Sequence, residues 1–424
     1  MPFARWMAVL ALCASSVSAQ QQTPDTLLLT RAAAIQWALQ RNPQLEVARE
    51  QIAEFRAAKV QAVAIPDPAV TASLDGQPGL FRSSAAGQKN IGATLQVPFP
   101  DKFRLRGNVA GADVKAAEAN YAALQRQIGA LTAVQYDSLL VALRHKSDLN
   151  EALTLASDFL KRTQARFDAG TAPRLDVIKA QVDVAGATND LISNERAIAD
   201  ASSGLNRFIG RPLGAPIVAT DSLAVPPSLP SIAVLEAQAL NARPELAGLM
   251  AERNGASSAT TLAREFWLPD LTLGVSRDLS GNSGPGVFST GLAFPIPVMF
   301  WQHTRGEVSQ SQHRERELAA SYRDLEAEVA QDVRNAYSAA STALRQAIYI
   351  RDELLPSARE AYRSTAASYA IGGTSAFEVI DARRTLLAAQ SQYADALASA
   401  NTSRSDLERA VSVPLATIVT GTNP

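Results

Sequence analysis

Side chains able to do covalent or metal chemistry are scarce in this chain. There are three histidines, His145, His303 and His313, and a single cysteine, Cys13. His303 and His313 stand ten residues apart, which does not stack two ligands on one helix face as an i, i+4 pair would. All read as ordinary surface histidines. Cys13 falls in a segment that reads as a secretory signal. Arg5 gives a positive start, Trp6 to Leu12 an apolar run too short to span a bilayer, and Val17-Ser18-Ala19 a small-residue cleavage site. Leu12 is larger than the residue that normally precedes a lipidated cysteine, so cleavage after Ala19 is expected rather than acylation of Cys13. The mature chain then has no thiol for a disulfide, a metal site or a nucleophile. We expect no enzyme activity, no cofactor and no metal site. A formal net charge of −1 leaves no electrostatic footprint for nucleic acid.

The polar pattern with useful spacing is acidic. Glu378 and Asp381 lie three residues apart, so both can face one side of a helix. Asp176 sits in a similar context, but Lys179 follows it where Asp381 follows Glu378. The plain structural reading is a set of helix-start carboxylates stabilised by the helix dipole.

The elements that must position these residues come in two copies. Ala38-Leu39-Gln40-Arg41-Asn42-Pro43-Gln44-Leu45 matches Ala239-Leu240-Asn241-Ala242-Arg243-Pro244-Glu245-Leu246 at an offset of 201, which also relates Pro68 to Pro269, Tyr121 to Tyr322 and Tyr136 to Tyr337. At an offset of 202, Phe167, Gly170, Val177, Ile178 and Ala180 match Tyr369, Gly372, Val379, Ile380 and Ala382. A register held over most of the chain marks a tandem duplication.

Each copy opens with helical pattern, about 31–65 and 232–266, ended by Pro68 or Pro269. Strand-like segments follow at about 68–76, 89–98, 269–277 and 287–297. Val70, Ala72 and Leu74 alternate with Thr71 and Ser73, and Leu271, Leu273 and Val275 with Thr272, Gly274 and Ser276. Period two with one apolar and one small polar face fits a membrane barrel, and equally a half-buried soluble hairpin. Aromatic placement favours the barrel. Phe99 and Phe103, Phe266 and Trp267, and Phe300 and Trp301 flank the strand–helix junctions, where amphipathic rings settle at a membrane boundary. Charges or prolines interrupt every later apolar stretch, so a membrane span would have to be a barrel.

Long helical hairpins are expected at about 101–205 and 300–413. A helix from Gly107 to Phe167 would reach on the order of 90 Å, more than a globular core requires. The returning segment carries two apolar stripes: Ile178, Val182, Ala185 and Ile192, then Val184, Ala187, Leu191 and Ile198. Two stripes suit a helix packed on both sides, as in a wall of helices.

The hairpin turns carry a resemblance. Phe167-Asp168-Ala169-Gly170-Thr171-Ala172-Pro173-Arg174-Leu175-Asp176-Val177-Ile178 and Tyr369-Ala370-Ile371-Gly372-Gly373-Thr374-Ser375-Ala376-Phe377-Glu378-Val379-Ile380-Asp381-Ala382 each run aromatic, two residues, Gly, then apolar-acidic-Val-apolar. Gly suits a helix stop and Pro173 the first turn of the next helix. With Asn42-Pro43, the junction prolines and the duplication, this ordered set resembles the TolC-type outer-membrane efflux proteins.

The resemblance implies a mainly α fold with a membrane β-barrel. Four strands per chain would close as a homotrimer into one twelve-stranded barrel in outer-membrane lipid, because four alone leave open edges. The helices would form a tunnel across the periplasm of a Gram-negative bacterium. Tips around Gly170, Thr171, Gly372 and Gly373 would dock a periplasmic adaptor and, through it, an inner-membrane pump of RND type. Glu378, Asp381 and Asp176 would line the entrance, where a carboxylate ring favours cations. The expected divisions are a signal over 1–19, repeats over 20–205 and 232–413, a proline-marked linker over 206–231, and a tail over 414–424. The function implied is a passive exit duct for small molecules or metal ions. A periplasmic adaptor or coiled-coil scaffold, and an exit duct for secreted polypeptide, remain the rivals.

Overall fold

The computed structural model describes residues 27–75, 88–280, 287–296 and 300–418. The expected signal with Cys13, most of both strand–strand turns and the end of the tail lie outside the described residues.

The first helical segment is two helices, not the single run expected over 31–65. Helix α1 spans Arg31–Arg41 and α2 spans Pro43–Ala62. Asn42 takes extended dihedrals between them, accepts the Gln44 N–H at 2.9 Å and leads Pro43 into the first position of α2. This is N-cap chemistry that helical periodicity alone does not register. The second copy breaks likewise into α5 (Ile232–Ala242) and α6 (Pro244–Arg264) around Arg243. Both break residues are buried and tether to equivalent carbonyls. Asn42 donates to the Phe208 oxygen at 3.3 Å, and Arg243 Nε to the Ala410 oxygen at 2.7 Å.

Four strands follow the duplication: β2 (Ala69–Asp75), β3 (Gln88–Val97), β5 (Leu271–Asp278) and β6 (Phe288–Ala293). They form an antiparallel sheet ordered β2-β3-β5-β6, so the two copies join along β3 and β5. Register puts Val70, Ala93, Val275 and Thr290 across from one another, and Leu95, Leu273 and Leu292 beside them. One face is therefore mostly apolar, while Thr71, Gly92, Thr94, Gly274 and Ser276 make the other small and polar. Among the described residues β2 and β6 each pair on one side only.

A short parallel pair was not anticipated. β1 (Leu27–Leu29) pairs with β4 (Ile217–Ala219), inside the stretch read as an irregular linker. The buried Tyr136 hydroxyl donates to the Leu29 oxygen at 2.8 Å and fixes this pair to the helices. The expected tail carries a 3-10 turn over Leu415–Thr417 that seats Leu415 in the core.

Helix α3 runs unbroken over Pro100–Asp168, 69 residues, or about 100 Å. It packs on α6 near the sheet and on α4 (Arg174–Phe208) and α9 (Ala376–Val411) farther out. The α3–α6 approach is close: a Cβ on Gly255 would stand 2.6 Å from Ala112 Cβ. The second long strut is not continuous α-helix. Helix α7 (Phe300–Tyr349) passes through a π-helical turn at Ile350–Leu354 into α8 (Leu355–Ala370). Pro356 follows that turn, where a proline in an uninterrupted helix would remove one hydrogen bond and clash with the preceding turn.

Two cores repeat the duplication. Ala38, Leu45, Ile128, Leu205 and Ile209 are buried in one, and their counterparts Ala239, Leu246, Val329, Leu407 and Val411 in the other. On α4 the stripe Val184, Ala187, Leu191, Ile198 turns toward the chain's own helices, whereas Ile178, Val182, Ala185 and Ile192 stay exposed.

Candidate channel entrance and membrane-facing band

Both hairpins turn by the same backbone device. At the first tip Gly170 takes φ +72°, the Gly170 N–H bonds the Phe167 oxygen at 2.8 Å, and the Thr171 N–H bonds the Arg166 oxygen at 2.8 Å. At the second, Gly372 takes φ +82°, its N–H reaches the Tyr369 oxygen at 3.0 Å, and the Gly373 N–H reaches the Ser368 oxygen at 2.9 Å. These are Schellman stops, and the left-handed residue in each is the glycine that the sequence marks. Pro173 stands at the N-cap of α4, one position before the first turn in which it was placed.

The tips are fastened to each other. The Arg166 guanidinium lies 4.5 Å from the Tyr369 ring centroid, donates to the Tyr369 oxygen and donates to the Thr171 oxygen at 3.3 Å. The Tyr369 ring packs on Phe159 at 5.1 Å, within a small core that includes Ala180, Val379 and Ile380. One to two turns farther from the tips a buried ion pair joins α9 to α4. Arg383 Nε and Nη2 donate to the two Asp183 oxygens at 2.9 and 2.6 Å, with the side chains 6% and 3% exposed. Arg383 also reaches the Ala152 oxygen on α3 at 3.4 Å. Helical spacing offered one clue to this pair: Ala180, Asp183 and Ala187 share a buried line on α4.

The predicted acidic residues take a different environment. Glu378 is exposed in the first turn of α9, where its N–H bonds the Ser375 hydroxyl cap at 3.4 Å. Asp381 is exposed one turn on, while Val379, Ile380 and Arg383 face inward. Asp176 is half-buried in the first turn of α4. The structure brings Glu378 and Asp381 onto one face. No hydrogen bond or ion pair among the described residues joins Asp176 to either.

At the other end of α3, the Phe99 N–H and Lys102 Nζ both donate to Asp270, at 3.3 and 2.9 Å, locking the helix start to the foot of β5. Phe103 and Phe266 are half-buried there, and Trp267 is 60% exposed in the 3-10 turn Glu265–Trp267. The side chains of Phe300 and Trp301 lie outside the described residues. Among the described residues no helix is long and apolar enough to cross a membrane, and no cluster of His, Cys, Asp and Glu is arranged to hold a metal.

A sheet with one apolar face, set on helices about 100 Å long, fits a duct. A sequence profile described as outer membrane efflux protein matches this chain twice, over residues 34–211 and 235–412. The chain belongs to the outer membrane efflux protein family. Both matches are separated by the same 201 residues that relate the two copies in the sequence.

Among relatives, the chain is 24% identical over 383 residues to the cobalt-zinc-cadmium resistance protein CzcC of Cupriavidus metallidurans, covering 90% of this chain and 89% of that one. It is 23% identical to the outer membrane protein TolC of Vibrio cholerae over 85% of each. The pyoverdine export outer membrane protein OpmQ of Pseudomonas aeruginosa is 26% identical over 65% of this chain and 59% of that one. Among solved structures, the fold matches CusC at TM-score 0.75 and 18% identity, covering 91% of this chain and 93% of CusC. It matches VceC of Vibrio cholerae at TM-score 0.74 and 17% identity, covering 91% and 96%. The protein is thus an outer-membrane efflux channel that extends into the periplasm, and a passive conduit rather than an enzyme. The family works as the outer-membrane part of tripartite efflux, with an adaptor and an inner-membrane pump. The adaptor or scaffold reading falls.

Proposed function

We propose that this chain is a homotrimeric exit duct for small molecules or metal ions, loaded by an RND-type pump through an adaptor docked on the hairpin tips at Gly170, Thr171, Gly372 and Gly373. The observation that carries the assembly is the four-stranded sheet with an apolar face and, among the described residues, two unpaired edges. Open edges are not tolerated in lipid, and three copies of four strands close a twelve-stranded barrel. The exposed stripe of Ile178, Val182, Ala185 and Ile192 supports the same reading, since it supplies an apolar surface for a neighbouring protomer's helices.

Glu378 and Asp381 form the entrance ring in this reading, with Asp176 beside them. The exposure of Glu378 and Asp381, and their lack of any ion pair among the described residues, support a solvated, cation-attracting ring. The aromatic side chains Phe99, Phe103, Phe266, Trp267, Phe300 and Trp301 mark the periplasmic membrane boundary. CzcC is named for metal resistance and OpmQ for pyoverdine export, so related ducts serve unlike cargo and the pump selects it. Sizing and crosslinking in mild detergent test the assembly. Three chains per particle are expected, and a monomer with a complete barrel would overturn it.

A further inference from the structure

The apolar face of the sheet departs from its pattern at one end. Lys89 continues the line of Val97, Leu95, Ala93 and Ile91 on β3, and Arg277 continues that of Leu271, Leu273 and Val275 on β5. Both cations therefore stand on the lipid-facing side. Asp278, the next residue on β5, falls on the polar face opposite Asn90. Arg277 pairs with Ile91, and the Leu279 N–H bonds the Lys89 oxygen, which makes Lys89 and Arg277 diagonal same-face neighbours at about 7–8 Å. The Arg277 guanidinium lies 5.6 Å from the ring centroid of Phe288, which is itself 61% exposed on this face. Neither cation has an ion pair among the described residues.

Height decides what the two cations meet. Val97 and Leu271 pair at the foot of the sheet, beside Phe99 and Trp267. At about 3.4 Å per residue and a tilt near 40°, Lys89 rises about 20 Å above that foot and Arg277 about 16 Å. The apolar band of such barrels is about 25 Å tall, and both side chains are long enough to extend to its rim. The helices lie on the periplasmic side, so that rim is the outer leaflet.

We propose that Lys89 and Arg277, backed by Phe288, form a binding site for the phosphate-bearing headgroup of an outer-leaflet lipid, one site per protomer. The pair supplies two positive charges to one phosphate group, and the ring supplies an apolar floor for the adjoining acyl chain. This rests on the trimeric barrel reading.

Native mass spectrometry of the detergent-extracted full-length trimer tests it, with a diphosphorylated glycolipid of the outer leaflet as probe and its dephosphorylated counterpart as comparison. Up to three phosphorylated lipids should bind per trimer. Lys89→Gln with Arg277→Gln should weaken binding roughly 30-fold, about fivefold per cation. The charge-keeping Lys89→Arg with Arg277→Lys should retain it, as should Lys115→Gln on the exposed side of α3. The single glutamine variants serve if the double variant fails to assemble. Equal binding by the glutamine variants, or of the dephosphorylated lipid, overturns the site. Binding of inorganic phosphate alone at these residues overturns the lipid assignment. Trimer mass is read in the same spectra, so loss of the assembly is distinguished from loss of lipid by an intact trimer.

Discussion

The Arg383–Asp183 pair allows a quantitative test of how the two hairpins are held together. Asp183→Leu would leave the Arg383 guanidinium buried with one remaining acceptor, the Ala152 oxygen at 3.4 Å. Removing one partner of a buried pair costs about 3–5 kcal/mol. Arg383→Met should cost less, about 1–3 kcal/mol, because Arg384 lies 3.7 Å from the same Asp183 oxygen and is 63% exposed, free to close in. The double substitution Asp183→Leu with Arg383→Met removes both charges and should return close to the parent, since apolar replacement of a buried pair is often neutral. Hydrogen exchange in the detergent-extracted protein reads these values locally. A cost of about 3 kcal/mol speeds exchange through local opening by roughly 100-fold. Amides of α4 and α9 near the tips should show that change in Asp183→Leu, a smaller one in Arg383→Met, and little in the double variant, while the sheet is unaffected. A change below about threefold in Asp183→Leu, or a double variant as labile as the single, would refute the reasoning.

Four further outcomes are expected. Gly255→Leu drives a side chain into Ala112, which a Cβ alone would approach to 2.6 Å, so melting should show a loss of about 1–3 kcal/mol or more. Gly372→Val forces a β-branched residue to φ +82° and should abolish efflux while membrane insertion of the trimer persists; unchanged efflux would count against docking at the tips. Burial raises the Asp148 carboxyl above its ordinary 3.8, with Arg144 opposing. The folded state then binds that proton more tightly than the unfolded state, and the stability from this group falls as pH rises through the raised value. Asp148→Asn should therefore melt at or above the parent at pH 7, and the difference should vanish near pH 4. Glu378→Ala with Asp381→Ala should weaken block by multivalent cations in planar bilayers and lower cation selectivity, and Glu353→Ala is the control; equal behaviour of the two would make these carboxylates plain helix starts.

What the sequence made legible were features with a single physical cause. Period-two alternation has few other origins, so the strands and their faces were readable to within a few residues. Gly170 and Gly372 were readable because a left-handed helix stop strongly favours glycine. The break at Asn42 was hidden because apolar periodicity continues across it, and Arg243 at the equivalent position does not look like a cap. The pairing of Leu27–Leu29 with Ile217–Ala219 spans three residues on each strand, too few for a periodic signal. Arg166, Asp183 and Arg383 were missed for another reason. Charged residues are frequent on these helices, and burial of one depends on which helix lies opposite, a fact that exists only after the hairpins pack.

That dependence explains where the two copies diverged. At an offset of 202, Asp183 corresponds to Thr385 and Arg383 to Gln181. Each partner of the buried pair therefore occurs in one copy only, on helices that face each other across the hairpins. Positions 183 and 383 are not equivalent under the duplication, and the equivalents Thr385 and Gln181 carry no charge, so the pair has no counterpart in the repeat. The tips show the same division. Asp176 and Lys179 offset each other one helical turn apart, whereas the equivalent Glu378 and Asp381 are both acidic. The exposed negative charge beside the hairpin turns is thus concentrated on the second hairpin. The same hairpin carries Pro356 and the π-helical turn at Ile350–Leu354, where the first copy runs unbroken α-helix through Asp148–Ala152. A π turn lacks the regular i to i−4 ladder, so bending is less costly there than in α3. Duplication supplied two similar struts; the substitutions since then gave the first copy a straight support and the second copy the charged tip and the irregular joint behind it.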